Sequence, residues 1–252
     1  MKTSEIAFFI SVLLVFSSCV SPKKAAPGFE PERRDARFFL LRGTDYLARK
    51  EYPKAIEQFR KAVAIDPKSS KAFNLMGIAY FQMMDYPKAR GCFEKAVAIQ
   101  PSYAQAHNNL GSVHFMERNF KEARGEYEKA ISLKPDHASA YYSLGYLLFA
   151  QGKIEEGTEY LSRGVALDPD FLEKKKDFVT RFSSLAFPSS EIFFAMAEAY
   201  AALGDIEKTT KYLEKAREAG FREWGRIKRD AAFDKIRENP RIRAFMKSTA
   251  SS

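Results

Sequence analysis

Cysteine is scarce: Cys19 and Cys92 are the only two in 252 residues, so a fold held by a disulfide framework is excluded by count. Histidine is nearly as scarce, with three residues, His107, His114 and His137. His107 and His114 stand seven apart on one helix face, but parallel stretches of the chain carry packing residues at both positions. They therefore read as core or groove-edge side chains and not as metal ligands. His137 falls in a turn beside Asp136. No HExxH, CxxC, phosphate-cradling glycine loop or nucleophile elbow is present. No carboxylate pair is singled out by its context, so the reading is non-catalytic, with no cofactor and no metal. Zinc-finger, helix-turn-helix and RNA-recognition signatures are also missing. The formal charge of +9 does not replace them, because Lys and Arg alternate with Glu and Asp along the chain. That is the pattern of solvated helix faces, and no specific nucleic-acid partner is expected.

The apolar run from Ile6 to Phe16 is too short to span a bilayer. Eleven helical residues rise about 16 Å, roughly half a bilayer core. With Lys2 ahead of it, the run has the length of a secretory signal's hydrophobic region. It ends in Phe16-Ser17-Ser18-Cys19, which resembles a bacterial lipobox. The resemblance implies a signal peptide over 1–18, diacylglycerol on Cys19 and a membrane anchor. It departs from the pattern at Phe16, where leucine is usual. Plain secretion with cleavage near Ala25–Ala26, and an uncleaved anchor, are the other readings. Val20 resembles the outer-membrane sorting pattern. Residues 19–35, with three prolines and no apolar period, read as a flexible tether reaching about 20–25 Å. Once Cys19 carries lipid, Cys92 is the one remaining thiol, most simply a small packing residue.

From residue 36 one sentence is written four times. Pro67, Pro101, Pro135 and Pro169 recur every 34 residues, as do Gly43, Gly77, Gly111 and Gly145. A fixed period of that length marks a solenoid. Each copy puts Phe39, Phe73, His107 or Tyr141 early in a first helix and Tyr46, Tyr80, His114 or Leu148 three residues after the glycine. A second helix carries Ala55, Ala89, Ala123 or Gly157, then Phe59, Phe93, Tyr127 or Leu161, then Ala62, Ala96, Ala130 or Gly164. The small residues let paired helices approach where they cross, and Pro53 and Pro87 sit in a first turn where no hydrogen bond is lost.

These residues resemble the tetratricopeptide repeat. The resemblance implies an all-α, right-handed superhelical solenoid of antiparallel helix pairs, with four consecutive units over 36–169. The step then slips by eighteen residues. Residues 170–189 have the spacing of an amphipathic helix that would offset the stack, ended by Pro188. A divergent fifth unit follows over 190–223, with Thr209 as its weak point. Residues 224–247 read as a basic cap over the last exposed face, and 248–252 as a disordered tail.

In the repeat family, the second, fifth, ninth, twelfth and thirteenth positions of the first helix commonly face a concave groove. Carried over, the candidate peptide-binding residues are Lys71, Asn74, Ile78, Phe81, Gln82, Gln105, Asn108, Ser112, Phe115, Tyr142, Tyr146 and Phe149. The amides can pair with a peptide backbone and the aromatic row can hold apolar side chains. The competing reading is that several of these rings pack between adjacent first helices. The expected partner is another protein, held through an extended segment. The expected role is a scaffold in a bacterial envelope complex, periplasm-facing at the outer membrane. Narrower alternatives are a type IV pilus secretin-assembly lipoprotein and a regulatory module of an envelope enzyme. Oligomeric state is not legible.

Overall fold

The computed structural model describes residues 35–174 and 189–249. The expected signal, Cys19, the tether and most of the expected inserted helix lie outside them. From Ala36 on, the described residues belong to one unit. They form consecutive antiparallel helix pairs: α1 (Ala36–Ala48) with α2 (Tyr52–Ile65), α3 (Ser70–Gln82) with α4 (Tyr86–Ile99), α5 (Ala104–Met116) with α6 (Phe120–Leu133), and α7 (Ala138–Ala150) with α8 (Ile154–Leu167). After the short α9 (Phe171–Lys174) comes the fifth pair, α10 (Ser189–Leu203) and α11 (Ile206–Glu218). The chain ends in α12 (Arg226–Arg229), a 3-10 turn over Ala231–Phe233, and α13 (Pro240–Thr249). No described helix is long and apolar enough to cross a membrane.

The 34-residue glycine is required by a close approach. A Cβ on Gly77 would lie 2.6 Å from the Phe93 ring, and the same geometry pairs Gly43 with Phe59 and Gly111 with Tyr127. The helix axes can come this close only where one side has no side chain. The turn between paired helices is equally regular. In each unit the fifteenth residue is left-handed: Lys50 at φ 61°, Met84 at 61°, Arg118 at 63°, Gly152 at 74° and Gly204 at 79°. The next amide reaches back five residues, as in Asp85 N–H to Tyr80 O at 3.0 Å and Asp205 N–H to Tyr200 O at 3.0 Å. This six-to-one bond closes the first helix. The second helix starts on a side-chain cap where the sequence allows one, as with Asp85 accepting from Lys88 N–H and Asp205 from Lys208 N–H.

Two expectations change. The stack is not offset after residue 169, because α10 packs directly on α8 as each first helix packs on the preceding second one. Tyr200 donates to Pro169 O at 2.7 Å, and Lys208 and Lys211 reach Asp170 and Glu173 at 2.5 and 3.0 Å. These bonds fix α9 and the turn before it against the fifth unit, whose first helix continues the stack on α8. The tail expectation also fails in part. Ser248 and Thr249 belong to α13, and Thr249 is buried. Apolar contacts of Ile242 and Phe245 hold that helix in place.

Candidate functional site: the concave face

The groove positions divide into an open set and a spent set. Lys71 and Gln105 are exposed, and Ile78, Gln82 and Ser112 are half-buried. They stand at the second, ninth and thirteenth positions of α3 and α5, neighbouring first helices that pack side by side. In the first unit, Arg37, Thr44 and Ala48 continue the open surface, with Leu40 and Leu47 half-buried beside them. The remaining candidates are core. Asn74, Phe81, Asn108, Phe115, Tyr142, Tyr146 and Phe149 are all buried.

Each loss has a packing reason. Asn74 sits 1 % exposed between units. Its carbonyl oxygen accepts from Asn109 Nδ2 at 2.9 Å and its amide donates to the Tyr103 hydroxyl at 3.4 Å. Its hydrogen bonds therefore join unit two to unit three, and Tyr103 and Asn109 were not expected in that role. Tyr142 lies flat on Phe171 at 4.6 Å between centroids and donates its hydroxyl to Asp168 O at 3.2 Å. Burial pushes that phenol well above its ordinary range. Its ring fills the space over Gly164, where a Cβ would lie 3.0 Å away. Phe149 presses on Gly157 in the same way, at 2.7 Å. Unit four has glycine at 164 where the other units have alanine, because Tyr142 stands where they carry leucine or asparagine.

Asn108 differs from Asn74. It is 7 % exposed, and its Oδ1 has no hydrogen-bond partner. An unpaired buried acceptor costs about 1–3 kcal/mol of folding free energy. Beside it, half-buried Ser112 donates to Asn108 O, four residues back on its own helix, at 2.9 Å.

One histidine is a structural brace. His107 Nδ1 lies 2.7 Å from Glu126 and Nε2 lies 2.9 Å from Pro101 O, so the ring links α5 to α6 and to the preceding turn. His114 is half-buried beside Glu117 at 4.0 Å. Cys92 is buried, and burial pushes its thiol up to about 11, which makes it a poor nucleophile.

Geometry and sequence profile agree on the unit. A tetratricopeptide repeat profile matches residues 74–136 and 117–170, and a related repeat profile matches 43–83. The chain belongs to the tetratricopeptide repeat family. Among solved structures, this tetratricopeptide chain is similar to TTC0263, a thermophilic protein of Thermus thermophilus. The identity is 16 %, the TM-score 0.53, and the match covers 86 % of this chain and all of the other. A MamA structure aligns at 21 % identity and TM-score 0.51 over 79 % of this chain and 96 % of that one. YrrB, described as a tetratricopeptide protein with an unusual peptide-binding site, aligns at 20 % identity and TM-score 0.50 over 75 % and 88 %. These likenesses establish the fold. No curated protein matches the sequence.

Proposed function

We propose that this protein is a non-catalytic adaptor that holds an extended protein segment along the concave face of units one to three. The carrying observation is the open strip of Lys71, Ile78, Gln82, Gln105 and Ser112. Accessible amides and a lysine beside half-buried apolar carbon suit a segment that pairs through its backbone and inserts occasional apolar side chains. A preformed concave wall also lowers the cost of binding, because little of the protein must be ordered. Unit four contributes support and not contact, since its first helix is buried from Ala140 to Phe149.

The test leaves the core untouched. Lys71→Ala with Gln105→Ala should weaken capture of peptides selected on the wild-type protein from a displayed library by about tenfold, the scale of one or two lost polar contacts. Lys129→Ala, on the exposed face of α6, should leave capture unchanged. Selected peptides that bind the double variant as well as wild type would refute the groove assignment.

The finer reading is a lipid-anchored scaffold in a bacterial envelope assembly. It is supported by the lipobox-like Phe16-Ser17-Ser18-Cys19 and the proline-rich 19–35 that follows. Cys19→Ala should move the protein from the membrane to the soluble fraction, and unchanged partitioning would remove the anchor. Within that reading, gene neighbours encoding pilus or secretin components would favour a secretin-assembly lipoprotein. Peptidoglycan enzymes there would favour an adaptor or regulatory module for them.

A further inference from the structure

The concave face of the fifth unit is already filled. In the repeat register its groove positions are Glu191, Phe194, Glu198, Ala201 and Ala202. Arg226, from the segment after α11, places Nη1 3.2 Å from Glu191 Oε2 and Nη2 2.8 Å from Glu198 Oε1. Its guanidinium carbon stands 4.5 Å over the Phe194 ring and 5.8 Å from Phe221. Phe221 stacks on Phe194 at 4.1 Å and 8°, and Trp224 and Phe233 approach the same ring at 6.3 and 6.0 Å. At the far end Lys235 donates to Ala202 O at 2.9 Å. Residues 221–235 thus follow α10 from its second groove position to its thirteenth.

A terminal cap alone does not require this chemistry. A cap has to cover the outer face of the last second helix, and α13 packs there against α11. The segment 221–235 lies instead on a first helix, on the face the family uses for ligands. A cap would also be better made from apolar residues, because buried ion pairs commonly contribute no more than apolar groups of the same volume. Here a half-buried guanidinium lies between Glu191, the buried Glu198 and two rings. Glu198 is 3 % exposed, with the Asp230 carboxyl beside it as well as Arg226. A planar fork that hydrogen-bonds in its plane and stacks on its face is specific to arginine.

We propose that the concave face of the fifth unit is a second recognition site, for a peptide arginine set between aromatic side chains, and that residues 221–235 occupy it in cis. The site is separate from the open strip on units one to three. Its acidic and aromatic chemistry differs from the amides and lysine there. A short tether gives the cis segment an effective concentration in the millimolar range, so a free peptide should compete poorly with it in the wild-type chain.

The experiment uses full-length protein and a fluorescent peptide spanning residues 219–238, read by anisotropy. Wild type should show no binding up to about 100 μM, given that cis concentration. The Arg226→Ala chain should bind the peptide. Replacing the peptide's own arginine by lysine or alanine, or adding Glu191→Ala and Glu198→Ala to the chain, should weaken that binding at least tenfold. Binding that ignores the peptide's arginine would overturn the proposal, as would no binding to an Arg226→Ala chain that keeps wild-type helicity. If Arg226→Ala unfolds, the milder Glu191→Gln serves, read by hydrogen exchange over 221–235. Exchange there should rise about tenfold, and unchanged exchange would overturn the site.

Discussion

Units two and four are built on the same 34-residue plan and spend their fifth position differently. In unit two it is Asn74, hydrogen-bonded to Asn109 and Tyr103 of the next unit, beside a first helix that keeps Lys71 exposed and Ile78 and Gln82 half-buried. In unit four it is Tyr142, stacked on Phe171 above Gly164, on a first helix buried from Ala140 to Phe149. The contrast runs through the molecule. Units one to three share a core around Phe59, Tyr80 and Phe93, while units three to five and the C-terminal segment share a larger aromatic core through Tyr142, Phe194, Phe221 and Phe233. At the amino-terminal end Leu41 is 71 % exposed and only Gly43 of α1 is buried. One repeat can therefore serve as a rigid base or as an open wall, according to whether its inner positions hold rings or short polar chains.

The comparison breaks most directly at its extremes. Phe194→Ala, which empties the centre of the aromatic core, should cost about 3–5 kcal/mol, whereas Leu41→Ala at the exposed end should stay within about 0.5 kcal/mol. Thermal melts of both variants test this, and equal losses would show that the two ends are held alike. Gly77→Ala should cost about 1–3 kcal/mol by driving a methyl into the Phe93 ring, measured by denaturant titration.

The C-terminal segment should also be sensitive to pH. Burial, reinforced by the neighbouring Asp230 carboxylate and opposed by Arg226, pushes Glu198 up to about 8. Glu191, Arg226 and Asp230 are the charged groups facing it. A carboxyl raised in the folded state stabilises fully below its unfolded value and loses that contribution as pH rises to about 8. Opening of residues 221–235, followed by hydrogen exchange corrected for intrinsic rates, should increase by up to about tenfold per pH unit across that window. Glu198→Gln should flatten the dependence. A slope that survives the substitution would assign it to another group.

The smallest effect concerns the turns. Units four and five put glycine at the left-handed fifteenth position, while units one to three force Lys50, Met84 and Arg118 into it. Met84 is 74 % exposed, so Met84→Gly gives up little burial. It should stabilise by up to about 1 kcal/mol, since a side chain in that region costs roughly 1–2 kcal/mol. No rise in melting temperature would mean that the turn is already relaxed around methionine.

Most of the scaffold was legible because it depends on residues that recur. Gly77 against Phe93, Pro87 in a first turn and Pro101 at a boundary all follow from a period and from side-chain size. Less of the candidate site was legible, and the limit is physical. A position on the inner face of a helix says where a side chain points, and not whether a neighbour meets it there. Asn74 and Asn108 look alike in sequence, yet one is bonded on both sides and the other has an unpaired oxygen. One signal is present in the sequence: Glu198 lies in the otherwise apolar run from Ile192 to Ala202, and a carboxylate there needs a partner. That partner, Arg226, is 28 residues further along, beyond the reach of any local pattern.

By itself, the sequence determined the helix pairs, their 34-residue register, the small residues at each crossing and the family. These follow from short-range rules of size, turn chemistry and spacing. The tertiary structure decided that the stack continues unbroken into a fifth unit, that unit four closes its inner face with rings, and that an arginine near the C-terminus fills the last groove. Those outcomes depend on which distant side chains meet, and a hydrogen bond or a stacked ring forms only at the distances that folding sets.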